Sequence, residues 1–378
     1  MLTPRPGSLA LCSLILALAS GAWAADAGTI QAPAPPAVKP VDIPAAVTFA
    51  ALAESTGAAA PVAGRVLPPA GMAHLRATLI QHAATGKQPT TSAIIDDGAT
   101  LVVTNRGDSS VSVFDAATLA PGTTITQVGY GAWGVIAKDA NTLLVANWGG
   151  STVALIDRKS GSRVGEIPVG MKPSYLALSP DKRLVFATGN FSGDVAISEV
   201  KSKRLMRTLE VGRRPMGLAA SPDGRWLYVA SCESRLIAKV DLKHEVVLER
   251  FGAPLASTTN VVLSADGGTL LAASDDGRLI VMDTATGDKS YAKVGRDAAC
   301  VALTPDGTTA FVANYGEDTV SIVDMRSLET YDHIAVGHGP IDVQTDGKRL
   351  FVCNDKAGSV SAFRLDPIGA AGVAKIGM

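Results

Sequence analysis

Basic and aromatic residues recur at two fixed places in a phrase that the chain repeats. The first place follows the apolar run in phrases such as "TLLVANWGGSTVALID" (residues 142–157), and the second surrounds a "VG..P" step. The candidate ligand-binding residues at or beside these places are Arg106, Trp133, Trp148, Lys172, Tyr175, Arg213, Arg214, Arg296, Tyr315 and His338. Guanidinium groups bind phosphate or carboxylate with two parallel hydrogen bonds, and aromatic rings stack on bases or sugars. This combination predicts a site for an anionic ligand that carries flat groups.

The charge balance at the second place favours the same chemistry. The "VG..P" loops hold one acid, Asp297, against five Lys and Arg residues. Most acids of the first place sit beside Gly or Ser, where a carboxylate is expected to cap a turn. Trp133, Trp148 and the pair Arg213 and Arg214 are expected to meet around one site. The alternative is a solvated rim without a ligand, because surface loops carry Lys and Arg in any case.

Patterns for catalysis are scarce. After the first 24 residues the histidines are His74, His82, His244, His333 and His338, and only His338 falls among the candidate residues. No Ser-His-Asp spacing, metal-ligand cluster or phosphate loop occurs in the sequence. We therefore predict no catalytic residue, no metal and no cofactor.

The elements that position these residues form a repeat. The residue matching Asn147 recurs with gaps of 42, 41, 43, 43, 40 and 40 residues. The matches are Asn105, Asn147, Thr188, Ser231, Ser274, Asn314 and Asn354. Seven copies of this length indicate a propeller or an array.

Each copy reads as four strands. Runs rich in Val, Ile, Leu, Phe and Thr are bounded by Asp-Gly and Gly turns, which is typical of strands. The second run, as in "LYVAS" and "AFVAN", is apolar at nearly every position and so is expected to be buried on both faces. The pattern predicts an all-β, seven-bladed β-propeller of four-stranded antiparallel blades.

The repeat also resembles a known family. "FVANYGEDTVSIVD", "LVVTNRGDSSVSVFD" and the "VG..P" step look like the YVTN-type seven-bladed propeller repeats of exported bacterial proteins, over roughly residues 74–366. The resemblance implies that both variable loops lie at one end of the ring, around the mouth of a central channel. Propellers of similar repeat type include lactonases, amine dehydrogenase subunits and non-catalytic binding proteins, so it does not choose a function.

The innermost strands supply the expected channel wall. The position matching Tyr175 is occupied in turn by Thr91, Gly134, Tyr175, Gly217, Asn260, Cys300 and Asp342. Small residues are needed where seven strands crowd an axis. Asn260 and Asp342 offer oxygen ligands of the kind that calcium prefers, as in lactonase-like propellers, but two ligands are too few, and we expect them to hold water.

The chain ends have their own composition. Residues 1–24 read as a signal peptide with an apolar run and an Ala-Trp-Ala cleavage site, residues 25–72 as an Ala/Pro-rich disordered linker, and residues 73–378 as the propeller. Three cysteines remain after cleavage and are expected to be small buried residues. The outer strand of the last blade could come from residues 75–86 or from 372–378, and we predict the former because it joins both ends of the chain.

These observations together predict an exported, periplasmic and monomeric propeller that acts as a non-enzymatic binding or scaffold protein. The formal net charge is −1, so there is no global attraction to nucleic acid or acidic membranes. A nucleic acid or an anionic glycan is the candidate ligand, and an unidentified protein is the candidate partner. A lactonase-like hydrolase or an oxidoreductase subunit is the alternative.

Overall fold

The computed structural model describes residues 74–252 and 257–368. The predicted signal peptide, the linker and residues 372–378 lie outside this part of the chain. Every regular element within it is a β-strand. No helix in the described ranges is long and apolar enough to cross a membrane.

The strands form seven antiparallel sheets, which are the blades of a β-propeller. Blade 1 holds β2 (Pro89–Ile95), β3 (Thr100–Asn105) and β4 (Ser110–Asp115); blade 2 holds β5 (Ala132–Ala137), β6 (Thr142–Asn147), β7 (Thr152–Asp157) and β8 (Ser162–Pro168); blade 3 holds β9 (Pro173–Leu178), β10 (Leu184–Gly189), β11 (Asp194–Glu199) and β12 (Arg204–Glu210). Blade 4 holds β13 (Pro215–Ala220), β14 (Trp226–Ser231), β15 (Leu236–Asp241) and β16 (Val246–Gly252); blade 5 holds β17 (Thr258–Leu263), β18 (Thr269–Ser274), β19 (Arg278–Asp283) and β20 (Lys289–Lys293). Blade 6 holds β21 (Ala298–Leu303), β22 (Thr309–Asn314), β23 (Thr319–Asp324) and β24 (Thr330–Ala335); blade 7 holds β25 (Pro340–Thr345), β26 (Arg349–Asn354), β27 (Ser359–Ile368) and β1 (His74–Ala84).

The first strand of each blade lines the axis and packs against the first strand of the next blade, and β25 packs against β2 to complete the ring. The second strands are buried at nearly every position: in β3, β6, β14 and β26 only the first residue is partly exposed, and the next five are buried. Both faces of these strands are covered because each sheet lies between two neighbours. The predicted seven-bladed fold is confirmed.

The ring is closed by β1, the first strand of the described chain. It pairs antiparallel with β27 along its length, from His74 opposite Ile368 to Ala84 opposite Ser359. Its start also reaches blade 6, where His74 Nε2 lies 3.0 Å from a carboxylate oxygen of Asp324. The prediction that the N-terminal segment closes the last blade is therefore confirmed.

Blade 1 is the irregular blade. Its outer position has no regular strand, and residues 121–125 fill it through two isolated bridges, Val111 with Ile125 and Phe114 with Pro121. Pro121 and Gly122 break the strand there, because Pro lacks the amide hydrogen that a strand ladder needs.

Candidate functional site at the channel mouth

The two variable loops of every blade meet at one end of the ring. In each blade the residue after the second strand donates its backbone N–H to a carbonyl of the loop that enters the first strand, over 2.8–3.1 Å. The seven donors, here called the mouth ring, are Arg106, Trp148, Asn190, Cys232, Asp275, Tyr315 and Asp355. The seven acceptors, here called the entry residues, are Gln88, Gly131, Lys172, Arg214, Ser257, Asp297 and Gly339. The placement implied by the family resemblance is thus correct.

One sequence match was off by one residue. In β10 it is Gly189 that pairs with the start of the third strand, as Asn147 does in β6. Gly189, not Thr188, is therefore the equivalent of Asn147, and Asn190 is the mouth-ring residue of blade 3. The error arose because this blade lacks the Asn or Ser that marks the position elsewhere.

Aromatic and basic residues of blades 1 to 3 form a contiguous stack. The rings of Trp133 and Trp148 are stacked, with centroids 4.7 Å apart, and Phe191 meets the edge of Trp148 at 5.9 Å. Arg106 lies over Trp133 at 5.0 Å, and Lys172 lies over Trp148 at 5.8 Å. We call these five residues the tryptophan stack. A cation over an aromatic face is attracted by the quadrupole of the ring, so each cation is held in place by the stack.

The stack is graded from buried to exposed. Trp133 is 1% exposed and Trp148 is 7% exposed, so the two rings form the base of the site and not its surface. Three large apolar side chains on neighbouring loops are open to solvent: Phe191 at 51%, Tyr130 at 49% and Met171 at 55%. An incoming ligand would therefore meet Phe191, Tyr130 and Lys172 first.

Three of the remaining predicted basic residues lie close to acids on the facing turns. Arg296 Nε lies 3.0 Å from Glu317, His338 Nδ1 lies 2.7 Å from Asp318, and Arg213 Nε lies 3.9 Å from Glu233. Counting acids on the entry loops alone missed these pairs, because each acid belongs to the turn opposite. Trp133 and Trp148 therefore meet Arg106 and Lys172, whereas Arg213 and Arg214 lie on blade 4 beside Glu233.

Across blades 6 and 7 the mouth is polar and buried. The Tyr315 hydroxyl donates to Asp355 Oδ2 over 3.5 Å, and Lys356 Nζ lies 4.3 Å from the centre of the Tyr315 ring. Burial raises the pKa of the Asp355 carboxyl, and the Arg106 charge opposes that shift. Burial likewise lowers the pKa of Arg106, against the attraction of Asp355. Arg106 thus interacts both with the tryptophan stack and with Asp355 of blade 7.

Asp275 is one of several acids that the sequence places on the turns after the second strands, and in the structure it is buried. It lies in blade 5, where Oδ1 accepts the Ser257 N–H over 3.0 Å and Oδ2 is buried without a hydrogen-bond partner among the described residues. Burial raises the pKa of this carboxyl to about 6, and the charges of Asp276 and Asp297 add to the shift. In sequence it reads as one more acid beside a Gly turn.

Within the channel, Asp342 joins three blades. One carboxylate oxygen accepts both the backbone N–H of Ser92, over 2.8 Å, and its hydroxyl, over 2.7 Å, while Cys300 Sγ lies 3.3 Å from the other. Asn260 Oδ1 accepts the N–H of Val301. These oxygens are therefore engaged in joining blades and do not fit a calcium site. Across the described ranges no group of three or more His, Cys, Asp or Glu is placed to hold a metal ion.

Tyr175 and the cysteines also lie in the interior. Tyr175 sits in the channel wall, where burial raises the pKa of its hydroxyl well above the usual value. All three cysteines of the described chain are buried, and Cys300 and Cys353 are free thiols. Tyr175 is thus a partly buried residue of the channel wall.

Comparison with known proteins supports the fold more than a function. Residues 268–370 match the family model "Lactonase, 7-bladed beta-propeller". A structure titled "Kuenenia stuttgartiensis Hydrazine Synthase" superposes with a TM-score of 0.68 at 19% sequence identity, covering 81% of this chain and 99% of that one. Comparison with curated protein sequences gave no significant match. The match and the superposition together place the chain among seven-bladed propellers.

Proposed function

We propose that this protein is an exported binding propeller that captures a ligand at the channel mouth, on blades 1 to 3. The observation that carries the proposal is the tryptophan stack, in which two buried indoles are flanked by Arg106 and Lys172 and extended to the surface by Phe191. Exposed aromatic groups beside a cation suit a ligand with a flat or apolar face and an anionic group, such as an acidic glycan.

The charge pairing narrows this proposal to part of the ring. Arg296 and His338 each have an acid within 3.0 Å, so an anion would have to compete with that acid. Lys172 has an aromatic neighbour instead of an acid. A long polyanion such as nucleic acid would contact many cations that acids already pair, and these contribute little binding free energy. A short anionic ligand needs only the cation beside the tryptophan stack.

Intrinsic fluorescence offers a direct test. Titration of the protein with sulfated or uronic-acid oligosaccharides, and with a single-stranded oligonucleotide, should quench or shift the emission of Trp133 and Trp148. Trp148→Phe should reduce the response, whereas Trp226→Phe should preserve it, because Trp226 begins β14 at the opposite end of the blade.

Charge variants then identify the contact. Lys172→Ala should weaken binding by about threefold to tenfold, since an interface cation typically contributes about 1 kcal/mol. Arg296→Ala is the matched control, because it removes a mouth cation that Glu317 already neutralises. Equal losses in the two variants, or no binding of either ligand class, would contradict the proposal.

A lactonase-like hydrolase is the second candidate, because residues 268–370 match that family model. Release of acid from a simple sugar lactone, followed at constant pH, tests it directly. Hydrolysis above the uncatalysed rate that is lost in Asp275→Asn would replace the binding role by an enzymatic one.

A further inference from the structure

A cleft lies between blades 2 and 3 at the end of the ring opposite the channel mouth. Its volume is about 790 Å³, and its walls are the turns that follow β5, β9 and β11 together with side chains of β7 and β8. Five basic residues line it: Lys138, Lys182, Arg183, Lys201 and Lys203. We call it the lysine cleft. It is separated from the tryptophan stack by the full length of the strands.

The acids of the cleft are already engaged. Asp139 lies 3.1 Å from Lys138 Nζ, and Asp181 accepts the Ser179 hydroxyl over 2.6 Å as a turn cap. Glu199 accepts the Ser202 hydroxyl over 2.6 Å, and its nearest approach to Arg183 is 4.0 Å. Positive charge is therefore in excess, and its source is the basic residues without a close acid.

Two lysines are open to a ligand. Lys182 and Lys201 are exposed, and neither side chain has a hydrogen-bond or ion-pair partner among the described residues. Lys203 differs, because its Nζ donates to the carbonyl of Val164 over 3.0 Å. The side chains of Val164 and Leu155 give the cleft an apolar wall between these cations.

The backbone of Lys182 has a conformation that glycine adopts in other blades. It occupies the turn position held by Gly224, Gly267 and Gly307 in blades 4 to 6, with the same N–H bond to the residue three before it. Those glycines have φ of 71–73°, and Lys182 has φ of 56°. A side chain in this left-handed region costs free energy that glycine does not, so Lys182 lowers local stability relative to a glycine at the same position.

We propose that the lysine cleft binds a small multivalent anion, such as a phosphate ester or a polycarboxylate. Lys182 and Lys201 would contact the charged groups, and Val164 would contact the carbon skeleton. The cleft is large enough for a ligand of drug or disaccharide size. This site is independent of the proposed ligand at the mouth.

The test uses inorganic pyrophosphate and citrate as probes, titrated calorimetrically into the full protein at low salt. Lys182→Gly combined with Lys201→Ala should weaken binding by about tenfold or more, because two charged contacts are lost. Lys293→Ala, which removes an exposed charge from β20, should leave it unchanged. Binding of only one probe would still support the site and would identify the preferred anion.

A second readout separates a binding role from a structural one. Lys182→Gly alone should raise the melting temperature of the ligand-free protein by about one to two degrees while weakening probe binding. Failure of both probes to bind the parent, equal binding by the double variant, or a lowered melting temperature in Lys182→Gly would overturn the proposal.

Discussion

Lys172 and Arg296 lie on entry loops of the same ring, yet only one of them keeps its charge available. Arg296 faces Glu317, whereas Lys172 faces the ring of Trp148. The difference lies in the neighbour across the loop and not in the residue itself. Side-chain partners, more than the number of cations, therefore determine where this mouth can hold an anion.

Asp275 shows how burial, reinforced by neighbouring acids, can make stability depend on pH. Its raised pKa, about 6 against 3.8, means that the ionised form is disfavoured in the folded state. Asp275→Asn should therefore increase the free energy of unfolding at pH 8, by about 1–2 kcal/mol after allowance for partial solvent access. The gain should shrink as the pH falls through 6 toward 4, where the parent carboxyl takes up a proton.

Urea unfolding of parent and variant at pH 8 and pH 4.5 checks this expectation. The groups that face the carboxylate are Asp276, Asp297, Arg235 and the Ser257 N–H. If Asp275→Asn were less stable than the parent at pH 8, Asp275 would have to be engaged in an attractive contact that outweighs its burial.

At the scale of elements, close approach of the inner strands explains the glycines of the channel wall. A Cβ on Gly217 would lie 2.6 Å from the Cα of Asn260 in the next blade. Because backbone atoms cannot move aside cheaply, Gly217→Ala should lower the free energy of unfolding by about 1–3 kcal/mol. Gly252 is the control, since a Cβ there meets no atom of the described residues within 4 Å.

Chemical unfolding of the two alanine variants provides the comparison. Gly252→Ala should stay within about 0.5 kcal/mol of the parent. A Gly217→Ala protein as stable as the parent would mean that blades 4 and 5 are free to separate at the axis.

The strands could be predicted because they follow local rules. The runs "LYVAS", "AFVAN" and "LFVCN" fall within β14, β22 and β26, and their unbroken apolar character reflects burial between sheets. Blade 3 was placed one residue off because Gly189 carries no marker side chain. The outer position of blade 1 was predicted as a regular strand, and Pro121 prevents one.

The site was less predictable, because it depends on contacts between loops of different blades. The sequence places Trp133, Trp148, Arg106 and Lys172 on the right loops, but nothing in it shows that the indoles stack. The pairs that neutralise Arg296 and His338 join residues 20 or 21 positions apart, across two loops. Such contacts form only when the blades are assembled in the ring, so the spacing of residues along the sequence does not predict them.

On the scale of the whole molecule, stability depends on the junction between β1 and β27. His82 and Ser361 are opposite each other there, with 2.8 Å between His82 Nδ1 and Ser361 Oγ. A disulfide introduced as His82→Cys with Ser361→Cys would link residues that are 279 positions apart. By the chain-entropy argument it should stabilise the fold by about 3–5 kcal/mol.

Melting curves of the oxidised and reduced double variant isolate the effect, because both samples have the same sequence. The oxidised form should melt at a clearly higher temperature. Equal melting temperatures, with the disulfide verified by mass spectrometry, would show that unfolding begins elsewhere in the ring.

The placement of β1 in blade 7 also determines when, during synthesis of the chain, the ring can close. The strand that completes blade 7 is synthesised first among the described strands, and its partner β27 is synthesised last. Until β27 has been synthesised, β1 has no partner and the ring stays open. Pairing between strands so far apart in sequence is slow. Under the proposal that the protein is exported, this order of synthesis would leave the ring open until the chain is complete, and an open chain is the form that can cross a membrane extended.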